Sequence, residues 1–253
     1  MKKLLILLLF VSQNLVSQST DELFEKGNNQ YKQEQYTEAI VSYQKIVESG
    51  FISSELFYNL GNCYYKLNKV APAIYNYEKA LLIDPLNNDA QNNLVFAKRL
   101  TIDNIEELPK SVFQKLDVTF IKKLSYNQWA IVSVVFSFLG ALLFLLFYFS
   151  YTPSKKRLFF VTSILSFLLL IICSIFTMKE YSYANKTIEA IIFIEETDIK
   201  NAPTLNGEKV FTLHEGTKVR VLDSVDNWKK IRISDGKVGW IIADEMKVLD
   251  IFQ

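Results

Sequence analysis

The 253-residue sequence contains a single histidine, two cysteines and only eight glycines. One histidine leaves a histidine-based catalytic pair with only one possible member. The chain also has no Walker-type glycine-lysine loop, no paired-histidine zinc motif and no glycine-rich dinucleotide turn. Its acidic residues are spread over polar stretches and do not form a pair in an apolar setting. We therefore expect a protein that is not an enzyme and that uses no metal and no other cofactor.

An excess of either charge is also missing. The chain has 28 lysines and arginines against 27 acidic residues, for a formal net charge of +1. A protein that binds nucleic acid through its phosphates usually carries a strongly basic face. We therefore expect no nucleic-acid partner.

The few cysteine and histidine residues have unrelated surroundings. Cys63 lies in a polar-aromatic helical stretch, whereas Cys173 lies in a long apolar run. Neither is close to a set of metal ligands, so we predict two buried apolar thiols and no disulfide. His214 has no nearby partner for metal binding or catalysis, and we interpret it as structural.

The N-terminal segment has the pattern of a secretory signal. Two lysines precede a short apolar run over residues 4–11, and small polar residues follow near Ser17. The run is too short to span a bilayer, which needs about 20 residues. We predict a signal peptide over residues 1–19, and the alternative is an uncleaved amphipathic start.

Two later runs have the length and composition of transmembrane helices. Residues 129–149 and 158–178 contain no charged side chain, and the short loop 150–157 between them is basic. Aromatic residues flank both runs, as they do at membrane interfaces. A basic loop favours the cytoplasmic side, so the sequence predicts a two-pass protein of the bacterial inner membrane. Both larger parts would then be extracytoplasmic, that is, periplasmic.

Residues 20–100 contain two copies of one pattern. Gly27 and Gly61 are 34 residues apart, as are Ala39 and Ala73 and then Tyr43 and Tyr77. A fixed period of this length is typical of stacked helical hairpins. The pattern Gly-Asn, Tyr, Ala-Ile, Tyr, Lys and then Asp-Pro resembles the tetratricopeptide repeat. Residues 89–100 continue the phase as a capping helix.

The resemblance to the tetratricopeptide family implies a concave groove that binds an extended protein segment. Amides would bond the backbone of the bound segment, and aromatic rings would cover its apolar side chains. Several of these side chains could instead simply make the surface soluble. The basic clamp that some family members use for a terminal carboxylate is not matched, because Phe24, Asp89 and Asn93 replace its cationic residues. The implied groove residues are Asn28, Tyr31, Asn59, Asn62, Tyr65 and Asn93.

The linker over residues 101–128 carries apolar residues at steps of three and four, interleaved with lysines. Such a segment suits a helix lying on the outer leaflet of the membrane. A helix that only connects the two neighbouring parts fits equally well. The apolar positions are Val112, Phe113, Leu116, Phe120, Ile121 and Leu124.

From residue 188 to residue 250 the sequence changes to short β-type runs, of which we predict five, with Asn-Gly and Asp-Gly turns. The spacing of Gly216, Trp228 and Gly239-Trp240 resembles the bacterial SH3-like barrel. The resemblance implies binding of cell-wall peptides or of proteins, with Asn201, Trp228 and Trp240 nearest to that role. The alternative is that both tryptophans belong to the core.

The fold class expected is therefore a multidomain membrane protein with α-helical tetratricopeptide-type hairpins, a two-helix transmembrane hairpin and a small all-β SH3-like barrel. This order resembles the BatE-type proteins of bacterial aerotolerance (Bat) operons. The resemblance implies a membrane-anchored scaffold that works with von Willebrand-type A-domain membrane proteins and a MoxR-type ATPase. Two alternatives stay open, a cell-wall anchor or sensor that binds peptidoglycan through the barrel, and a periplasmic holdase with broad clients.

Overall fold

The structure is a computed structural model that describes residues 20–250 except Glu107 and Lys110. The signal peptide predicted over residues 1–19 lies outside the described residues. The described chain divides into two compact units. The repeat–β unit comprises residues 20–108 and 189–250, and the hairpin unit comprises Pro109–Ile188.

The first part of the repeat–β unit is helical throughout. Two helical hairpins and a capping helix follow one another, which confirms the fold predicted for residues 20–100. Short turns join the helices, and side chains at Ser53 and Asn87 cap α3 and α5 by accepting bonds from backbone N–H groups. The helices are α1 (20–32), α2 (Tyr36–Glu48), α3 (Ser54–Lys66), α4 (Val70–Ile83) and α5 (Asn88–Lys98).

A glycine–tyrosine contact holds each hairpin together. A Cβ at Gly27 would lie 2.5 Å from the Tyr43 ring, and a Cβ at Gly61 would lie 2.6 Å from the Tyr77 ring. Both tyrosines are almost completely buried. The repeated glycine is therefore needed because the partner helix places a large ring where a side chain would otherwise be.

Residues 188–248 form one seven-stranded antiparallel sheet. All of it except Ile188 lies in the repeat–β unit, and residues 189–250 are here called the β domain. The strand order is β3-β2-β6-β5-β4-β1-β7. The sequence predicted five of these strands and missed β2 and β7. Strand β2 alternates charged with buried side chains, and β7 has only three residues, so neither stands out in the sequence. The strands are β1 (Ile188–Ile192), β2 (Glu196–Lys200), β3 (Lys209–His214), β4 (Lys218–Val225), β5 (Trp228–Arg232), β6 (Val238–Ile242) and β7 (Met246–Val248).

The hairpin unit begins with a short helical segment and continues as two long helices. The long helices pack through small residues: Ser166 Oγ donates to the carbonyl of Phe136 at 2.9 Å, and Gly140 lies against the Phe167 ring. Both are long and apolar enough to span a membrane. The elements are α6 (Val112–Leu116), a π-helical turn (Asp117–Ile121), α7 (Tyr126–Phe149) and α8 (Pro153–Lys186).

Candidate protein-interaction surfaces

The predicted groove asparagines form two equivalent hydrogen-bond clusters. In the first, Asn28 Oδ1 accepts from Tyr43 Oη at 2.7 Å and from Asn59 Nδ2 at 3.2 Å. In the second, 34 residues later, Asn62 Oδ1 accepts from Tyr77 Oη and from Asn93 Nδ2, both at 2.7 Å. The repeat in sequence is therefore also a repeat in hydrogen bonding.

The two clusters leave donors available. The Nδ2 groups of Asn28 and Asn62 donate to no other group in the part of the chain that the structure describes. Both side chains are half-buried on helices α1 and α3, so the amides lie at the surface of the repeats. An amide N–H in this position can bond the carbonyl of an extended peptide.

The two predicted groove tyrosines are also half-buried. The Tyr31 ring packs edge-on against Tyr36 with 5.3 Å between ring centroids. Burial raises the pKa of the Tyr31 hydroxyl, so this group stays a neutral donor and acceptor at neutral pH. Tyr65 packs partly against the cluster around Tyr77.

The β domain has its own cleft, of about 380 Å³. Trp228, Leu205 and Ile242 supply its apolar lining. The charged side chains around it comprise three acidic and two basic residues, and Lys209 is tied to Asp198 by a 2.7 Å ion pair. The cleft therefore combines an indole with charged side chains of both signs, and these charged residues are Glu196, Asp198, Lys200, Lys209 and Glu245.

Only Trp228 of the three predicted β-domain residues lines that cleft. The core of the domain is built by aliphatic residues and Met246, and includes neither tryptophan. Trp240 pairs with Lys200 and Lys230 across its neighbouring strands and is half-buried, with Lys230 Nζ 5.8 Å from its ring centroid. Asn201 instead closes the 201–208 loop, where its side chain accepts from the N–H of Glu208 at 3.1 Å.

A buried ion-pair network joins the repeats to the β domain. Glu78 on α4 contacts Lys218 on β4 and Lys98 on α5, each at 2.8 Å, and Lys218 also contacts Glu189 at 2.7 Å. Burial raises the pKa of Glu78, but the two lysines outweigh it and the pKa lies below its ordinary value. Burial lowers the pKa of Lys218, and the two glutamates outweigh that effect and raise it. Both groups are therefore charged at neutral pH.

Asp103, which follows α5 in the chain, makes a second connection between the helical part of the unit and the β domain. Its carboxylate accepts from the backbone N–H of His214 at 2.7 Å and from Thr217 Oγ at 2.6 Å, and it lies 2.7 Å from His214 Nδ1. Desolvation raises the pKa of Asp103, but these hydrogen bonds hold it below its ordinary value. The single histidine thus has a partner in Asp103, although the sequence analysis found none near it. The identity of that partner was not foreseen, because 111 residues separate the two.

Apolar packing completes the junction. Ile191 and Leu249 of the β domain belong to one buried cluster with the α4 residues Ile74 and Tyr77. A Cβ at Gly216 would lie 2.8 Å from the Thr101 methyl group and 3.0 Å from Ile74. The backbone of the β domain therefore packs directly against the repeats.

A cleft of about 350 Å³ lies along this junction, between α2 and α4. Phe57 and Tyr64 of α3 line it together with Tyr75 of α4 and Phe193 of the β domain. Lys79 Nζ lies 4.8 Å from the Phe57 ring centroid, and burial lowers the pKa of this lysine. Within the described residues no cluster of three or more His, Cys, Asp or Glu side chains could hold a metal ion.

Comparison with known proteins identifies two modules. The family model described as tetratricopeptide repeat matches residues 54–87, and the one described as bacterial SH3 domain matches residues 195–247. The Hsp70-Hsp90 organizing protein of Triticum aestivum is 34% identical over 65 residues, which cover 26% of this chain and 11% of that protein. The chain thus spans about a ninth of the length of that relative. These modules are typical of proteins that bind other proteins or the cell wall.

Proposed function

We propose that this protein is a two-pass scaffold of the bacterial inner membrane whose repeat–β unit binds partner proteins on the extracytoplasmic side. One observation supports the proposal most strongly: the repeats and the β domain form a single compact unit. The chain leaves this unit at Leu108 and returns to it at Glu189, after two antiparallel apolar helices. An even number of spans leaves both ends of the hairpin on one side of the membrane, as a single unit requires.

The repeats are the proposed capture surface, through the groove residues Asn28, Tyr31, Asn59, Asn62, Tyr65 and Asn93. In the described part of the chain, no hydrogen bond or ring contact between the β domain and the repeats involves these six residues, and only Tyr65 packs partly against the apolar cluster of the junction. The junction instead uses α4, Lys98, Thr101 and Asp103. The groove and the junction can therefore work at the same time.

By its resemblance to BatE-type proteins, we further propose partners of the von Willebrand-type A-domain class, with a MoxR-type ATPase in the same system. Photo-crosslinking from Tyr65 in cells, followed by identification of the attached proteins, tests this. A small reproducible set of membrane proteins with such domains supports the assignment. A long unspecific set favours a holdase and contradicts it.

The contribution of the groove is tested by Asn28→Asp and Asn62→Asp. Each change keeps an oxygen that accepts from its tyrosine, but removes the free amide donor. We expect crosslink yield to fall about tenfold, as a lost hydrogen bond plus an added charge would produce. The matched control is Asn29→Asp, on the exposed side of the same helix. Equal yield from all three variants contradicts binding in the groove.

The membrane placement has its own test. Single cysteines at Ser154, in the basic first turns of α8, and at Asp226, in an exposed turn of the β domain, are labelled in intact cells whose outer membrane has been permeabilised. We expect a membrane-impermeant maleimide to label residue 226 and to leave residue 154 unlabelled. Labelling at residue 154 contradicts the proposed orientation.

A second candidate function is binding of the cell wall through the β domain. The cleft lined by Trp228, with three acidic and two basic side chains around it, favours it, together with the match to bacterial SH3 domains. An indole beside charged groups of both signs suits a peptide that carries both an amine and a carboxylate. Sedimentation of the protein with purified peptidoglycan, with Trp228→Ala as the variant and Trp240→Ala as the control, separates this role from scaffolding.

A further inference from the structure

The short helical segment before α7, residues Val112–Ile121, is bound to one end of the α7–α8 hairpin by a hydrogen bond and an ion pair. Trp129 Nε1 donates to the carbonyl of Ile121 at 2.9 Å, and Lys179 pairs with Asp117. These contacts connect the segment to the first turn of α7 and to α8 just beyond its apolar run.

Aromatic rings surround the same end. Tyr126 and Tyr181 pack edge-on at 5.7 Å between centroids, and Trp129 packs on Phe176 at 5.0 Å. Lys122 Nζ lies 3.9 Å from the ring centroid of Tyr183. Tyrosine and tryptophan in this position are typical of the boundary between hydrocarbon and headgroups. The contacts therefore hold the segment at the level where both apolar runs end.

Despite these contacts, the segment Val112–Ile121 exposes apolar side chains. Val112 is 72% exposed, Phe120 63% and Val118 45%. Lys115 and Lys123 are exposed beside them. Across residues 111–125 and 179–187 there are five lysines and two acidic residues, so this end of the hairpin is basic.

We propose that Val112–Ile121 is a lipid-docking element that lies in the outer boundary of the bilayer and binds anionic headgroups. Phe120 and its exposed apolar neighbours enter the acyl boundary, while Lys115 and Lys123 contact lipid phosphates. We infer lipid as the binding partner because the segment is continuous with the two proposed spans. A surface held where the apolar runs end lies in the headgroup region and contacts lipid before it contacts another protein. The inference depends on the proposed membrane placement of the hairpin.

The test uses the full chain with Cys63→Ala and Cys173→Ala, in vesicles of phosphatidylcholine and phosphatidylglycerol at 3:1. Nitroxide labels at Phe120→Cys, Lys123→Cys and Phe138→Cys report collisions with oxygen and with a water-soluble nickel chelate. Phe138 is 74% exposed in the middle of α7 and serves as the control for membrane insertion.

We expect the label at residue 120 to be shielded from nickel severalfold relative to that at residue 123, and to lie at a shallower depth than that at residue 138. Equal nickel access at residues 120 and 123, with residue 138 in lipid, overturns the docking element and leaves the two-pass placement intact. Nickel access at residue 138 as well overturns both. A label at residue 120 shielded from both nickel and oxygen indicates a protein occupant and also overturns the inference.

The lysines are tested by the preference for spin-labelled phosphatidylglycerol over phosphatidylcholine around the protein. We expect Lys115→Gln with Lys123→Gln to reduce this preference at least about twofold, since each lysine near a charged surface contributes severalfold to association. Lys45→Gln with Lys66→Gln, in the last turns of α2 and α3, is the matched control. An unchanged preference in the first variant overturns the assignment of anionic headgroups.

Discussion

Glu78 and Lys218 are 140 residues apart in the chain, and their side chains meet at 2.8 Å between the repeats and the β domain. The Glu78 side chain is 9% exposed, so its charge depends on Lys218 and Lys98 for compensation. Ion pairs of this kind are strongly destabilising when one member is removed, because the other charge stays buried. The repeat–β unit is therefore stable only when the repeats and the β domain pack so that Glu78 and Lys218 meet.

The first prediction concerns this pair. Glu78→Gln should lower the free energy of unfolding by about 2 kcal/mol, less than for a fully buried pair because Lys218 keeps Glu189 and some solvent. Lys98→Gln should have less than about 1 kcal/mol of effect, since Lys98 is 46% exposed. Chemical unfolding of the full chain in mild detergent measures both. Equal losses of stability in the two variants would contradict a larger contribution from the buried Glu78 side chain than from the more exposed Lys98.

The second prediction concerns the independence of the repeat–β unit. Replacing residues 109–188 by a flexible linker of about 12 residues, with a reach of roughly 20 Å, should yield a soluble and cooperatively folded protein. Residues 20–100 alone should be less stable, because Ile191, Leu249 and the backbone at Gly216 no longer cover α4. Denaturant midpoints compare the two. Equal midpoints would contradict a stabilising role of the β domain.

A third prediction follows from the lowered pKa of Asp103. Because its pKa is lower folded than unfolded, Asp103 stabilises the fold above its ordinary pKa near 3.8, and this contribution is lost as pH falls through the folded pKa. Asp103→Asn should therefore cost about 1–3 kcal/mol at pH 7 and progressively less below about pH 4. Unfolding of the repeat–β unit at several pH values measures this.

The matched control for Asp103 is Asp223→Asn, an exposed aspartate on β4. It should leave the unfolding free energy within about 0.5 kcal/mol of the parent at every pH. A difference between Asp103→Asn and the parent that stays constant down to pH 2 would contradict the charge-assisted role of Asp103.

A fourth prediction tests the glycine–tyrosine contact. Gly61→Ala places a Cβ 2.6 Å from the Tyr77 ring and should destabilise the repeats by about 1–3 kcal/mol, although alanine favours a helix. Adding Tyr77→Leu should recover part of the stability lost at residue 61, so the two changes are not additive. Simple additivity of the two losses in thermal unfolding would argue that the contact is not the cause.

The fifth prediction concerns Cys63. Its side chain is completely buried, and burial raises the pKa of the thiol to about 12. The thiolate is the reactive form, so Cys63 should resist alkylation at pH 8 in the folded protein and react once denaturant unfolds α3. Mass spectrometry in a Cys173→Ala background measures the rate. Rapid labelling without denaturant would mean that α3 opens locally.

Much of this architecture was readable from local patterns. The 34-residue spacing of Gly61 from Gly27 predicts stacked hairpins because each glycine faces a tyrosine of its own hairpin, a contact between near neighbours in sequence. Two uncharged runs predict the apolar helices, since a bilayer span depends only on length and composition. The turns at Asn206-Gly207 and Asp235-Gly236 predict strand reversals for a similarly local reason.

The candidate sites were only partly readable. The sequence located Asn28 and Asn62, but their oxygens hold Tyr43 and Tyr77, a pairing that depends on how two helices pack. Trp228 and Trp240 look alike in sequence, yet only Trp228 lines the β-domain cleft, because strand pairing and the loop carrying Leu205 form its walls.

The sequence by itself determined the modules, their order and the apolar hairpin, because each is specified by residues close together in the chain. Only the tertiary structure decided that the repeats and the β domain form one unit. The Glu78–Lys218 and Asp103–His214 contacts join residues more than 100 positions apart, and no local pattern specifies such a pair. Burial makes these charged contacts matter, and burial exists only after the two surfaces have come together.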